Sequence, residues 1–333
     1  QKTLLCLFIV LLCCEGFIRV PLNKKKSLPR TRNSHHTKSE IPGHTDLFGN
    51  LAETHTYYAT VKIGGQSFSV LIDTGSVNLA VPGSNCHMYE NPTDDKAVGP
   101  CKTANSFYEP PDNATIQACT TGCTLCQDHN CWFEVSYSDN SYIRGSLISD
   151  AITLSGFTVT SIFGSIERES PNFSVGSCDG ILGFAFPELD TTDGDCLFSQ
   201  MVATGIVQHD IFSMCLGSKA GELFLGGYDP NLDAGPIYYV DMVLPYDFYR
   251  VPLGDILIGP HSLNIASEDY IMTIIDSGTS FIELAEDQWE AFVKVFQAEY
   301  PELPHIDSSG NIFSGFCFSE LNLSIYPTLT FVL

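Results

Sequence analysis

One short sequence occurs twice in the chain, and no other feature constrains the fold as strongly. The copy at 70–76 reads Val-Leu-Ile-Asp-Thr-Gly-Ser, and the copy at 273–279 reads Thr-Ile-Ile-Asp-Ser-Gly-Thr. In both, aliphatic residues precede an aspartate, a hydroxyl residue, a glycine and a second hydroxyl residue. An element that recurs in one chain usually marks a duplicated unit. The copies are about 200 residues apart, which leaves room for a compact lobe around each.

Each copy predicts a buried strand that ends in a tight loop. The aliphatic residues pack inward, and the aspartate lies where the strand ends. The glycine accepts backbone angles that other residues resist, so backbone N–H groups can point at the carboxylate. Four nearby hydroxyl groups can donate further hydrogen bonds that fix each aspartate in one rotamer. They belong to Thr74, Ser76, Ser277 and Thr279.

A single loop of this kind is ordinary turn chemistry, and two unrelated turns are the alternative interpretation. If the loops meet, however, Asp73 and Asp276 share one site. Like charges that close cannot both ionise, so one carboxyl group holds a proton near mildly acidic pH. The pair then supplies a general base and a general acid together. This suits hydrolysis of an amide by water, with no metal, cofactor or covalent intermediate.

The two motifs resemble the active-site sequences of pepsin-like aspartic proteases, of the pepsin and cathepsin D type. The likeness runs from about residue 17 to residue 333. It implies an all-β, bilobal acid-protease fold and an aspartic-type endopeptidase that hydrolyses peptide bonds at acid pH. Asp73 and Asp276 would be the catalytic pair that activates a water molecule. The residues that would support this pair are Thr74, Gly75, Ser76, Ser277, Gly278 and Thr279.

Two segments are expected ahead of the catalytic lobes. An uninterrupted apolar run at 4–14 is too short to span a bilayer and predicts a signal peptide at 1–16. Because the chain begins with Gln1, we expect this peptide to be incomplete at its start; a short buried strand is the alternative. Residues 17–44 are strongly basic, with Glu40 their only acidic residue, whereas residues 45–333 are strongly acidic.

The basic segment resembles the start of a pepsinogen-type pro-segment. We expect it to cover the acidic cleft as an intramolecular inhibitor at neutral pH, and to leave when acid protonates carboxylates. Lys38 is the candidate for the lysine that this family places between its aspartates. The acidic residues 45–333 can themselves bind this basic segment, so we expect no nucleic-acid partner. A solvated basic linker is the alternative.

The length of the chain and its 22 Phe and 14 Tyr residues predict two lobes with large cores. We expect an N-terminal catalytic lobe at 45–218 and a C-terminal one at 219–333. The resemblance implies a further strand beside Asp276, and no such strand follows in the sequence. We therefore expect the second lobe to be incomplete at its C-terminus. Apolar residues at helical spacing also predict a helix over 285–300.

Cysteines cluster after the first motif. A secretory signal predicts an oxidising compartment, where disulfides are the default. The resemblance implies that Cys86 and Cys101 close the loop that follows the first motif. Cys178 and Cys196 are a further candidate pair. A tight group resembles the cysteine-rich insertions of nepenthesin-like family members; we expect two disulfides in unspecified pairing, with zinc as the alternative. This group is Cys119, Cys123, Cys126 and Cys131.

An alternating stretch at 132–137, a polar tip at 138–141 and a return at 142–145 predict a β-hairpin. This hairpin resembles the flap that covers the substrate in the family, and we call it the flap. The resemblance assigns flap and substrate-contact roles to Tyr137, Ser138 and Asp139. Family members carry glycines where this chain has Ser138 and Asn140, and most carry a tryptophan where it has Ala80. A plain surface hairpin is the alternative.

Asn113, Asn172 and Asn322 lie in Asn-X-Ser/Thr sequences and are candidate glycosylation sites. They favour the secretory pathway, with a secreted protein or a lysosome- or vacuole-like acidic compartment. We expect a monomer that acts on peptides or proteins, and no membrane anchor within residues 1–333. The histidines show no metal-ligand spacing.

The main alternative is a catalytically impaired protease homologue that binds peptides or proteins, and a two-carboxylate glycosidase fits less well.

Overall fold

The computed structural model describes part of the 333-residue chain. The described residues are 43–49, 56–102, 106–120, 122–173, 178–189, 194–217, 220–229, 239–270, 272–304, 306, 312–314 and 323–333. The expected signal peptide, nearly all of the basic segment with Lys38, and Asn322 lie outside them.

Strands dominate the described residues, which confirms the all-β fold class. In chain order the strands are β1 Gly43–Leu47, β2 Tyr58–Ile63, β3 Gln66–Asp73, β4 Leu79–Met88, β5 Gly99–Pro100, β6 Thr115–Ile116, β7 Leu125–Gln127, β8 Asn130–Ser136, β9 Tyr142–Leu154, β10 Phe157–Glu169, β11 Gly180–Gly183, β12 Phe212–Leu216, β13 Gly221–Leu225, β14 Asp255–Ile258, β15 His261–Ser262 and β16 Leu329–Val332. The α-helices are α1 Leu197–Ala203 and α2 Glu286–Glu299, and 3₁₀ turns occur at Pro187–Leu189, Ser267–Tyr270, Ile312–Ser314 and Leu323–Ile325.

The largest sheet holds the first motif in its interior. Its main path runs β10-β4-β11-β3-β2-β9-β8-β7, and β9 also pairs with β10. Strand β3 pairs antiparallel with β2 and parallel with β11, where Gly183 lies opposite Asp73. The last four residues of β3 are all buried, as expected for a strand covered on both faces. This sheet therefore carries the first aspartate at the end of a fully supported strand.

The hairpin of β8 and β9 forms the flap. The two strands pair antiparallel from Trp132 opposite Ser146 to Ser136 opposite Tyr142. Residues 137–141 connect them as the tip. Large side chains of β8 such as Phe133 enter the core, whereas the tip projects polar residues into solvent.

The C-terminal part of the chain contains a smaller sheet. Strand β14 pairs antiparallel with both β15 and β16. Helix α2 packs its buried Phe292 and Phe296 into the same core cluster as Ile256 and Ile258 of β14. The helix begins and ends within one residue of the expected 285–300 range. Its apolar stripe is therefore core, as the spacing predicts.

A third sheet joins the two parts of the chain. Its order is β1-β13-β12, so the expected lobe boundary between 218 and 219 falls inside the β12–β13 hairpin. Leu223 and Leu225 of β13 pack in the same core cluster as Ile72 of the first lobe. This strand lies on the C-terminal side of the expected boundary in sequence but packs with the N-terminal core. The division into lobes stays a prediction.

Three disulfides are present among the described residues. Cys86 bonds to Cys101 and closes the loop after the first motif. The cysteine cluster forms two crossed bonds, and its sulfur atoms are therefore committed to disulfides rather than free to act as thiolate ligands. These bonds are Cys119–Cys126 and Cys123–Cys131.

The expected pairing of Cys178 with Cys196 is wrong, because both are free thiols in the structure. Cys178 is buried in the core cluster beside the flap and hydrogen-bonds with Thr56. Cys196 is buried in the other large cluster, next to the Ala185 carbonyl oxygen and the Ser199 hydroxyl group. Packing in separate cores keeps the two sulfur atoms apart, which the spacing in sequence does not reveal.

Within the described residues, no helix has both the length and the apolar character needed to cross a membrane.

Candidate active site

The two copies of the repeat meet, although they lie far apart in sequence. The Thr74 amide donates to Ser277 Oγ at 3.1 Å, and the Ser277 amide donates to Thr74 Oγ1 at 2.9 Å. Each hydroxyl group also donates across the junction: Thr74 Oγ1 to the Ile275 carbonyl oxygen at 3.0 Å, and Ser277 Oγ to the Ile72 carbonyl oxygen at 2.7 Å. Four reciprocal hydrogen bonds thus fix one loop against the other with approximate two-fold symmetry.

Asp73 is held by donors from its own loop. The Gly75 amide donates to Asp73 Oδ1 at 2.9 Å, and the Ser76 hydroxyl group donates to Asp73 Oδ2 in a short hydrogen bond. The side chain is 5% exposed. Backbone and hydroxyl donors at fixed positions leave the carboxyl group one orientation, as the loop sequence predicts.

Asp276 is held in the same way by the second loop. The Gly278 amide donates to Asp276 Oδ1 at 2.8 Å, and the Thr279 hydroxyl group donates to Asp276 Oδ2 at 2.6 Å. The donor types and the oxygen atoms that they reach match those of the first loop. The repeated residues therefore produce a repeated local geometry.

Each glycine of the repeat lies against the opposite carboxyl group. A Cβ atom on Gly75 would collide with Asp276 Oδ2, and one on Gly278 would collide with Asp73 Oδ1. Each carboxyl group therefore lies directly against the glycine of the opposite loop. Glycine is therefore required at both positions for the carboxyl groups to come together.

The shared site changes the acidity of Asp73. Burial, followed by the charge of Asp276, raises the pKa of Asp73 well above its ordinary value, while the hydrogen bonds from Ser76 and Gly75 act in the opposite direction. Desolvation and a like charge both disfavour the ionised form. The pair consequently keeps one proton in weakly acidic solution and can act as acid and base together.

A cleft of about 690 Å³ opens over the two aspartates. Residues from both loops line it together with the flap residues Tyr137, Ser138 and Asp139. Burial, then Asp73 and Asp139, raises the pKa of Tyr137 well above its usual value, so this phenol stays protonated as a donor. Apolar side chains complete the walls, among them Leu71, Phe173, Ile181, Leu189 and Phe248.

The flap tip forms a tight turn that contains no glycine. The Tyr137 amide donates to the Ser141 carbonyl oxygen at 2.8 Å, and the Asn140 amide donates to the Tyr137 carbonyl oxygen at 3.1 Å. Asn140 takes a positive φ of 62°, which asparagine tolerates better than most residues. Asp139 Oδ1 accepts from the Ser141 amide at 2.8 Å. Asparagine and aspartate thus build the turn that glycine would otherwise allow.

Several cleft residues have no motif that marks them in the sequence, and Phe173 and Glu283 are two of them. Phe173 stacks on Tyr137 with ring centroids 5.6 Å apart. Ala80 belongs to the same core cluster as Phe173, and its methyl group cannot donate a hydrogen bond to Tyr137. Glu283 lines the cleft, and burial followed by the charges of Asp276 and Asp139 raises its pKa. Neither residue carries a local motif that marks it.

Two of the three candidate glycosylation sites lie in the described residues. Asn113 is exposed beside a turn in which the Ala114 amide donates to the Pro111 carbonyl oxygen. Asn172 is exposed next to the flap, and its side-chain nitrogen donates to the Asp139 carbonyl oxygen at 3.3 Å.

The chain is similar to known proteases. A family model described as eukaryotic aspartyl protease matches residues 56–319. Gastricsin from Homo sapiens is 28% identical over 352 aligned positions, which cover 98% of this chain and 82% of gastricsin. An aspartic protease from Phaffia rhodozyma is 30% identical over 223 positions, 67% of this chain and 48% of that protein. Renin-2 from Mus musculus is 27% identical over 271 positions, 78% of this chain and 62% of that protein.

Proposed function

The chain belongs to the eukaryotic aspartyl protease family, and we propose that it is an endopeptidase whose catalytic pair is Asp73 and Asp276. The observation that carries this proposal is the reciprocal hydrogen bonding between Thr74 and Ser277, which brings the two carboxyl groups into one cleft. Family membership supports a peptidase of the aspartic type. The assignment of roles to individual residues is our inference from the geometry.

In the proposed mechanism a water molecule lies between the two carboxyl groups. Asp73 holds the shared proton, because burial and the neighbouring charge raise its pKa. Asp276 takes a proton from the water as the oxygen attacks the peptide carbonyl carbon, and Asp73 donates its proton to the carbonyl oxygen. When the tetrahedral intermediate collapses, the C–N bond breaks and a proton passes to the leaving nitrogen.

The substrate would lie extended across the cleft beneath Tyr137. Apolar walls formed by Leu71, Ile181 and Phe248 suit apolar side chains on either side of the scissile bond. Closure of the flap would exclude water and strengthen the electrostatic contacts beneath it. The substrates would therefore be peptides or unfolded protein segments with apolar residues near the cleaved bond.

We further propose that the protein enters the secretory pathway as a monomeric zymogen and works in an acidic compartment. The basic segment at 17–44 and the acidic remainder of the chain support this inference by charge complementarity. Incubation of the purified precursor at acid pH should cleave the basic segment from the rest of the chain. A precursor that stays intact at acid pH would refute this part of the proposal.

The decisive experiment compares the secreted full chain with Asp73→Asn and Asp276→Asn on a quenched fluorescent peptide library at acid pH. Each substitution should lower kcat/KM by roughly 1,000-fold, because general acid–base chemistry is lost. Asp112→Asn, at an exposed turn outside the cleft, is the matched control and should keep full activity. Equal cleavage by both aspartate variants would assign the activity to another site. Peptide binding without cleavage by the wild type would favour the impaired homologue.

A further inference from the structure

A short segment that follows β10 lies against the whole length of the flap tip. At its start, the Ser170 amide donates to the Tyr142 carbonyl oxygen at 3.0 Å, and the Tyr142 amide donates to Ser170 Oγ at 3.0 Å. Three residues later, Phe173 stacks on Tyr137. The segment 170–173 therefore contacts the flap at both ends of its tip, at Tyr142 and at Tyr137.

Asn172 lies between these two contacts and faces the outside of the tip. Its side chain is exposed, and its Nδ2 atom is 3.3 Å from the carbonyl oxygen of Asp139. Asp139 itself lines the cleft. The side-chain nitrogen of Asn172 is thus one hydrogen bond away from the wall of the substrate cleft.

The sequence at 172–174 is Asn-Phe-Ser, which is an acceptor sequence for N-linked glycans. We propose that Asn172 carries an N-linked glycan that overhangs the flap and makes the protease select short or unfolded peptides over folded proteins. This inference rests on the proposed endopeptidase function and on its secretory route. It assigns a modification site and a selectivity filter to the same position.

The modification needs no reagent beyond the lipid-linked oligosaccharide that donates the sugar. The Nδ2 atom of Asn172 forms a bond to the anomeric carbon of a lipid-linked oligosaccharide, the sugar–phosphate bond breaks, and the lipid diphosphate leaves with the electron pair. Nδ2 loses one proton and keeps the other. The remaining proton can still be donated to the Asp139 carbonyl oxygen, so the glycan is compatible with the observed contact.

The position of the sugar explains why selectivity should change rather than chemistry. A glycan on Nδ2 begins outside the flap tip and away from the two aspartates, so it blocks bulky approach at the mouth of the cleft. An extended peptide can still enter beneath Tyr137. Asn113 provides the comparison, because it lies in a second acceptor sequence and is not among the described residues that line the cleft.

The test uses the full chain secreted from a eukaryotic host, with glycan occupancy at Asn172 measured by mass spectrometry. Ser174→Ala removes the acceptor sequence and keeps Asn172, Ser174→Thr keeps the acceptor sequence, and Asn113→Gln removes a second candidate site. For each protein, kcat/KM is measured on a folded protein and on a short quenched peptide. Ser174→Ala should raise the protein-to-peptide ratio roughly fivefold, and the other two variants should change it less than about twofold.

An unmodified Asn172 in the secreted wild type would overturn the proposal, and so would an unchanged ratio in Ser174→Ala. An equal rise in Asn113→Gln would also overturn it, because the effect would then not depend on the flap. If the wild type cleaves neither substrate, the proposed function fails separately. In that case the dissociation constants of the folded protein and of the peptide are measured instead. Their ratio must still shift in Ser174→Ala for the glycan proposal to stand.

Discussion

The two copies of the repeat form nearly identical loops, but the segments that lead into them differ: β3 precedes the first, whereas residues 272–275 ahead of the second form only an isolated bridge. In the first copy, Ile72 is fully buried in β3. In the second copy, Ile274 is 37% exposed and Ile275 is 56% exposed. The aspartates that follow nevertheless receive the same kinds of hydrogen bonds. The residues of the repeat therefore set the loop, whereas burial of the preceding strand is set by other parts of the chain.

The neighbours of each copy account for the difference. Strand β11 pairs with β3 along Val70–Asp73, and β2 covers its other edge. For the second copy, the described residues provide an isolated bridge between Arg250 and Ile274 and backbone hydrogen bonds with residues 249 and 251. The first loop adds the bond from Thr74 Oγ1 to the Ile275 carbonyl oxygen. Among the described residues, the second copy thus has fewer strand neighbours than the first.

The largest effect that we predict concerns the proton on the better-buried aspartate. The proposed mechanism requires this proton, so kcat/KM should fall about tenfold per pH unit above the raised pKa of Asp73. Ser76→Ala removes a hydrogen bond that favours the ionised form, so it should move this fall to higher pH. A pH–rate profile of both proteins checks the shift. A move to lower pH would contradict the assignment of the proton to Asp73.

The same raised pKa links folding stability to pH. The proton on Asp73 stabilises the folded protein; this contribution is complete below the ordinary pKa of aspartate and is lost as the pH rises through the raised value. Asp73→Asn should flatten the decline. Denaturant unfolding from about pH 4 to about pH 8 measures the free energy of unfolding for both proteins. Parallel declines would place the titrating group elsewhere.

Truncation of the isoleucines ahead of each aspartate should change the free energy of unfolding by different amounts in the two copies. Ile72→Ala should lower the free energy of unfolding by about 3 kcal/mol, because it leaves a cavity in a fully buried strand. Ile275→Ala removes an exposed side chain and should lower it by less than about 1 kcal/mol. Denaturant titration at one pH checks both. Equal losses would show that the second strand is covered in solution as completely as the first.

Substitution of the motif glycines should affect the two copies equally. Gly75→Ala and Gly278→Ala each place a Cβ atom against the opposite carboxyl group, so both should lower kcat/KM by about 100-fold. Gly122→Ala is the control, since a Cβ atom there would meet no atom within 4 Å. Peptide assays on folded, purified proteins give the comparison. Full activity in either motif variant would contradict the mutual packing of the loops.

The smallest predicted effect concerns the bonds between the loops. Thr74→Val removes the hydroxyl group that contacts Ser277 and Ile275, and it should lower the free energy of unfolding by about 1 kcal/mol. Thr74→Ser keeps the hydroxyl group and is the control. Ser277→Ala removes the other two bonds, from the Thr74 amide and to the Ile72 carbonyl oxygen, and should lower stability by a similar amount. Equal stabilities of Thr74→Val and Thr74→Ser would argue against this bonding.

The sequence predicted elements that depend on local pattern more reliably than contacts between distant residues. Helical spacing predicted α2 within one residue at each end. By contrast, Cys178 and Cys196 were expected to pair, and they pack in separate core clusters. Phe173 gave no local signal of its contact with Tyr137. Helical periodicity is a property of consecutive residues, whereas these contacts depend on where whole strands pack.

For this protein, the sequence alone determined the strand-rich fold class and the donors that each aspartate receives, because those donors lie within three residues of the carboxyl group. The tertiary structure decided that the two loops meet and that the cysteine cluster forms crossed disulfides. It also decided that the first copy is buried and the second half-exposed. These outcomes depend on the packing of segments far apart in the chain, and no short stretch of sequence contains that information.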